Sequence, residues 1–234
     1  MASEWGMGEI RVRGVRRQFF EVLRIIDIKS IKEYNINMEF TIKSIEQIKE
    51  EIQKENKENI PVKDFQNEII FPFPELYKEI VIKYNCENIP SYLCYFELYD
   101  ISRSVAVTKK FYNSEWCNNE YKDLIKNYWF IGEHSYYEYW IIDKKGKIYS
   151  WKDNINANEK ILNNIIDLNL DFEKWLQFAY LYNDSEKIID NMYNNGMDGD
   201  YYKDDEKKIK EKYYKYLKEL SRELYKFILA KENE

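Results

Sequence analysis

The chain has 234 residues, 44% of them hydrophobic and 33% charged, which is enough apolar content for a core and excludes wholesale disorder. Its net charge of −6 is the difference between 36 basic and 42 acidic side chains. Residues 1–24 hold five arginines and three glutamates, a sum of +2, so the remainder carries −8; such an acidic body argues against phosphate-backbone binding and suits a basic partner.

No stretch approaches the ~20 consecutive apolar residues that a membrane span needs. The first residues show no continuous apolar run of the signal-peptide kind, so a cytoplasmic location is expected. Cys86, Cys94 and Cys117 are odd in number and lack C-x-x-C spacing, which points to free thiols packed as small hydrophobes rather than to disulfides or zinc. The 22 tyrosines accompany abundant Ile, Lys and Asn, the composition an AT-rich genome favours.

In chain order, residues 1–24 stand apart. They contain Arg11, Arg13, Arg16, Arg17 and Arg24 together with Gly6, Gly8 and Gly14, while both residue types are sparse afterwards. This marks a basic leader of different origin, with a nucleic-acid-binding arm as the alternative. Phe19, Phe20, Leu23 and Ile26 fall at helical spacing, and Ile42, Ile45, Ile48 and Ile52 do so more clearly. Pro74 opens a helix with Leu76, Tyr77, Ile80, Val81 and Tyr84 on its inner side, ending near Asn85. Residues 92–99 read as a strand, and 101–127 show no dominant period, with a helical or irregular piece at 116–126.

Between Tyr128 and Trp151 three apolar-aromatic runs are separated by two polar turns, Gly132-Glu133-His134-Ser135 and Asp143-Lys144-Lys145-Gly146. β-branched and aromatic residues suit a pleated, half-buried surface, so an antiparallel meander is expected. Asp171 caps a helix whose inward set is Phe172, Trp175, Leu176 and Ala179. Residues 194–200 form a turn or linker, and Ile209, Tyr213, Tyr216, Leu217, Leu220, Leu224 and Phe227 make the stripe of one long helix over 204–231. The resulting division is a leader over 1–24, an α+β domain over 25–195, and an acidic linker with the amphipathic helix over 196–234.

Three motifs carry a family resemblance. The run Phe73-Pro74-Glu75-Leu76-Tyr77-Lys78-Glu79-Ile80-Val81-Ile82-Lys83-Tyr84-Asn85 resembles the opening helix signature of the SUKH superfamily. Phe130-Ile131-Gly132, Glu138 to Asp143 and Gly146-Lys147-Ile148-Tyr149-Ser150-Trp151 resemble its aromatic strands, and Asp171 to Leu176 its closing helix. Together they cover about residues 60–182 in the family's order. The chain departs from the pattern after Gly132, where the family's turn is rich in Asp and Gly and this chain has Glu133-His134-Ser135-Tyr136-Tyr137. The resemblance implies a twisted antiparallel sheet flanked by helices, to which this chain adds N- and C-terminal helices. It also implies a protein that acts by binding another, often a toxin it neutralises, with no chemistry of its own.

The site chemistry reads the same way. His134 is the only histidine, so a multi-His metal site is excluded, and no Ser-His-acid relay with a histidine to spare is expected. Its place in a hairpin turn predicts solvent exposure. A calcium loop starting at Asn194 would put Gly199 at position six, but Gly196 and Asp205 then fall where a ligand and a Glu are needed. Neither a cofactor nor a metal is expected. The candidate partner-binding residues are Glu133, His134, Tyr136, Tyr137, Glu138, Tyr139 and Asp143, rigid aromatics beside acids that would steer a basic protein. The leading expectation is an immunity-type protein occluding a toxin, a nuclease being one that fits the acidic body. The alternative is an adaptor that docks or dimerises through its C-terminal helix.

Overall fold

The computed structural model describes residues 39–55, 71–83, 97–113, 126–135, 138–152, 164–194 and 203–232. All of them belong to one compact unit, Met38–Glu234. The leader, the helix expected at 19–26, the three cysteines, Tyr136, Tyr137 and residues 195–200 of the linker expected at 194–200 lie outside the described residues.

The fold is α+β. Strands β1 (Glu97–Leu98), β2 (Tyr128–Ser135), β3 (Glu138–Asp143), β4 (Lys147–Lys152) and β5 (Ile165–Asp171) form one antiparallel sheet in sequence order. The described helices are α1 (Ile45–Glu55), α2 (Glu75–Tyr77, continued by a π-helical Lys78–Lys83), α3 (Ile101–Asn113), α4 (Phe172–Asn194), α5 (Lys203–Leu220) and α6 (Arg222–Glu232).

The meander is present, and one of its two turns is where the sequence places it. Asp143 Oδ1 accepts the backbone N–H groups of Lys145 (2.8 Å) and Lys147 (2.9 Å), and Gly146 supplies the positive φ of 84° that closes the β3–β4 turn. The other expected turn is a correction. Gly132 to Ser135 are part of β2, which runs on through register shifts to Ser135. Gly132 serves a close approach instead: a Cβ there would stand 2.1 Å from the carbonyl oxygen of Glu97, so β1 can pair only against a bare backbone.

Asp100 resolves the ambiguous stretch after residue 100. Its carboxylate accepts the Arg103 N–H at 2.7 Å and starts α3, whose β-branched Ile101, Val105, Val107 and Thr108 obscure a helical pattern. Helix α3 then covers one face of the sheet, with Val107 and Phe111 packed on Phe130, Ile141 and Trp151. It also blunts the edge of β2 beyond the short β1: Thr108 Oγ1 accepts the Phe130 N–H at 3.2 Å, and Ser104 Oγ donates to the Phe130 carbonyl at 2.5 Å.

The opposite face carries Trp140, Ile142, Ile148, Leu168 and Leu170, all buried, beneath α4 and α6. Asp171 accepts the Lys174 N–H at 2.8 Å and caps α4 as expected, and Phe172, Trp175, Leu176 and Ala179 all point inward. Helix α1 buries Ile45, Ile48 and Ile52 and is capped reciprocally by Ser44 and Gln47. Gln177 of α4 donates to the Lys43 carbonyl at 2.9 Å, tying the two helices together.

The single helix expected over 204–231 is two helices. Ser221, buried at the break, donates to the Leu168 carbonyl at 2.5 Å and accepts the Leu224 N–H at 3.2 Å, so one hydroxyl both diverts the chain onto β5 and caps α6. The apolar stripe of Ile209, Tyr213, Leu217, Leu220, Leu224 and Phe227 is buried within the unit. Strand β5 was not expected from the sequence. Its alternation of Leu168 and Leu170 with Asp167, Asn169 and Asp171 is legible, but the bulge at Asn169 (φ 52°) breaks the period.

Candidate partner-binding site

Strand parity divides the expected binding residues between the two sheet faces. Glu133 and Tyr139 are direct cross-strand partners on the α3 side, while His134 and Glu138 face α6. Asp143 caps the β3–β4 turn, and its second oxygen accepts the Tyr149 hydroxyl at 3.0 Å, so both of its oxygens are engaged within the turn and β4.

His134 is 4% exposed, against the expectation of a solvent-facing turn residue, because β2 extends through it and the Phe227 ring lies over it at 5.5 Å. Its Nε2 stands 3.1 Å from Ser150 Oγ and its Nδ1 3.2 Å from Glu138 Oε2. The one histidine thus stands between a serine hydroxyl and a carboxylate, without the Nδ1–Oε2 hydrogen bond that a Ser-His-acid relay needs. Glu138, 3% exposed, also pairs with Lys231 of α6 and with Lys152 at 3.4 Å. Burial, aided by Lys231 and Lys152 and opposed by Glu138, lowers the His134 pKa to about 4, so the ring is neutral at neutral pH. With Ser150 only 2% exposed, no substrate reaches the hydroxyl while α6 is in place. The group is a buried polar clasp that Lys231 ties to the helix.

The other group is open. Glu97 of β1 stands directly opposite Glu133 of β2, and like charges so paired repel. Arg103 of α3 reaches both, contacting Glu97 through Nη1 and Glu133 through Nη2 at 3.0 Å. The Tyr99 hydroxyl donates to Glu133 Oε2 at 2.7 Å, and the guanidinium lies 4.3 Å from the Tyr99 ring centre. The side chains of Glu97, Arg103 and Glu133 are 32%, 41% and 36% exposed. Partial burial, and then the neighbouring Glu133, push the Glu97 carboxyl above its usual range despite Arg103. Two carboxylates share one guanidinium, leaving one excess negative charge at a solvent-facing sheet edge.

Sequence reasoning found Glu133 and Tyr139 and missed Glu97, Tyr99 and Arg103. One signal was available: Arg103 is one of only two arginines after residue 24, in a chain that otherwise uses lysine. Among the described residues, no group of three His, Cys, Asp or Glu side chains is placed to hold a metal. No described helix is long and apolar enough to cross a membrane. Comparison with protein-family models, with curated proteins and with solved structures gives no match.

Proposed function

We propose that the protein is a cytoplasmic, non-catalytic immunity-type protein that binds a basic toxin through the Glu97–Glu133 edge. The observation that carries this reading is the half-exposed carboxylate pair with one shared guanidinium, beside the Tyr99 and Tyr139 rings. A lysine or arginine of the partner would supply the missing positive charge and relieve the repulsion between the two glutamates. The resemblance of the 73–85 helix and the aromatic strands to the SUKH superfamily, and the −8 charge outside the leader, support the same conclusion. The burial of Ser150, His134 and Glu138 supports binding rather than catalysis.

The test is co-expression with the products of adjacent reading frames in a growth assay. One such product should be toxic alone and silenced by this chain. The Glu97→Gln/Glu133→Gln variant should lose protection while keeping its circular dichroism spectrum and unfolding midpoint. Undiminished protection by that variant removes this edge as the binding site, and the absence of any toxic neighbour removes the immunity reading.

A further inference from the structure

The outer side of the α5–α6 elbow has the opposite charge to the rest of the molecule. Lys215, Lys218, Arg222 and Lys226 follow one another at helical spacing across the break at Ser221, with Tyr225 and Glu219 among them. All four cations are exposed, and none makes an ion pair in the described structure. They line a shallow concavity of about 480 Å³ whose walls are mostly carbon. Lys218 lies 4.3 Å from the centre of the Tyr225 ring, which forms part of the wall. This stripe is distinct from the buried apolar stripe of the same helices and from the Glu97–Glu133 edge.

We propose that the elbow is a docking surface for a short acidic segment of another protein, one in which apolar residues are interspersed among the carboxylates. Charge decides the class. Four cations and Glu219 give the stripe +3, so the remainder of the chain carries −6 − (+3) = −9. A long polyanion would overrun the stripe and meet that acidic remainder, whereas a short segment keeps only the attraction. Lys215 to Lys226 spans at most roughly 16 Å, the length of a straight helix at 1.5 Å per residue, which the break at Ser221 can only shorten. That length matches about five residues of extended chain at ~3.3 Å each. Three carboxylates on such a segment balance the stripe. Its apolar residues lie against the Tyr225 ring and the lysine stems, which supply carbon surface below their charged ends. This inference stands independently of the toxin-binding reading, since it uses neither the sheet edge nor its residues.

The test uses the full chain and a fluorescein-labelled, C-terminally amidated pentapeptide, Glu-Phe-Glu-Leu-Glu, read by fluorescence anisotropy at 50 mM salt. Saturable binding is expected, weakened tenfold or more by K215E/K218E/R222E/K226E. The K144E/K145E variant, which removes two exposed lysines at the β3–β4 turn, should bind like the parent chain. If the fourfold reversal perturbs folding by circular dichroism, K215Q/R222Q takes its place with an expected loss of about threefold. The proposal is overturned by failure to saturate, by binding that survives these changes, or by equal loss in K144E/K145E. Equal or tighter binding of a dT5 oligonucleotide would show a general anion patch and would overturn the assignment to an acidic peptide.

Discussion

Lowering the pH should destabilise this protein through His134, and the effect can be isolated because the chain has no other histidine. In the unfolded chain the ring titrates near 6.5, whereas in the fold burial brings it to about 4. Between those values the unfolded state binds a proton that the folded state refuses. Stability therefore falls as pH drops below about 6.5, and this loss levels off below about 4. Linkage over the interval gives a maximum of about 3 kcal/mol, of which about 2 kcal/mol is lost between pH 7 and pH 5. The slope approaches one proton, about 1.4 kcal/mol per pH unit. Urea denaturation at half-unit pH steps measures it directly. His134→Gln keeps an amide near Ser150 and removes the titration, so the difference between parent and variant should narrow by about that 2 kcal/mol on going from pH 7 to pH 5. The ring C–H resonances of the folded protein supply a second reading, titrating far below 6.5. Parallel stability curves, or a folded-state titration near 6.5, would refute the buried clasp.

Three further outcomes are expected. Ser221→Ala should cost about 1–3 kcal/mol in urea denaturation, since it removes the cap of α6 and leaves the Leu168 carbonyl without its donor. Unchanged stability would show that the elbow is set by packing alone. Gly132→Ala should cost about 2 kcal/mol or more, because the new Cβ meets backbone that cannot swing aside; amide exchange at Leu98 and Tyr99 should accelerate as β1 detaches. Glu138→Ala should cost about 2–3 kcal/mol, below the full penalty of a broken buried pair because Lys152 and Lys231 can turn towards solvent. Urea denaturation measures it, and a loss under about 1 kcal/mol would contradict a buried pair at this position.

The architecture was most legible where chemistry and period agree. Asp171 followed by an apolar set at helical spacing gave the α4 cap and its inward face residue by residue, and Asp143 with Gly146 gave a turn whose carboxylate does the holding. It was least legible where one residue serves a distant element. Gly132 reads as a turn glycine, yet its reason is the carbonyl of Glu97, 35 positions earlier. Ser221 interrupts an unbroken heptad-like stripe for the sake of the Leu168 carbonyl on a strand that the sequence hides behind a bulge. The candidate edge shows the same limitation. Glu133 drew notice through its aromatic neighbours, but Glu97 and Arg103 reach it only because Asp100 starts α3 immediately after β1.

Strand parity explains why the aromatic hairpin cannot act as one binding surface. Glu133 and His134 are consecutive residues whose side chains leave opposite faces, as are Glu138 and Tyr139. On the α6 face, burying a carboxylate demands cations, and Lys231 and Lys152 supply them from the terminal helix and from β4; satisfying that demand closes the face. On the α3 face one row crosses all five strands: Glu97, Glu133, Tyr139, Trp151 and Ile165. Phe111 of α3 lies over Tyr139 and Trp151 in this row. The row's acidic end stays at the sheet edge, held by a single arginine and one charge short of balance. The same alternation that fills the core thus leaves the uncompensated charge at that end, where a cation from outside the chain would balance it.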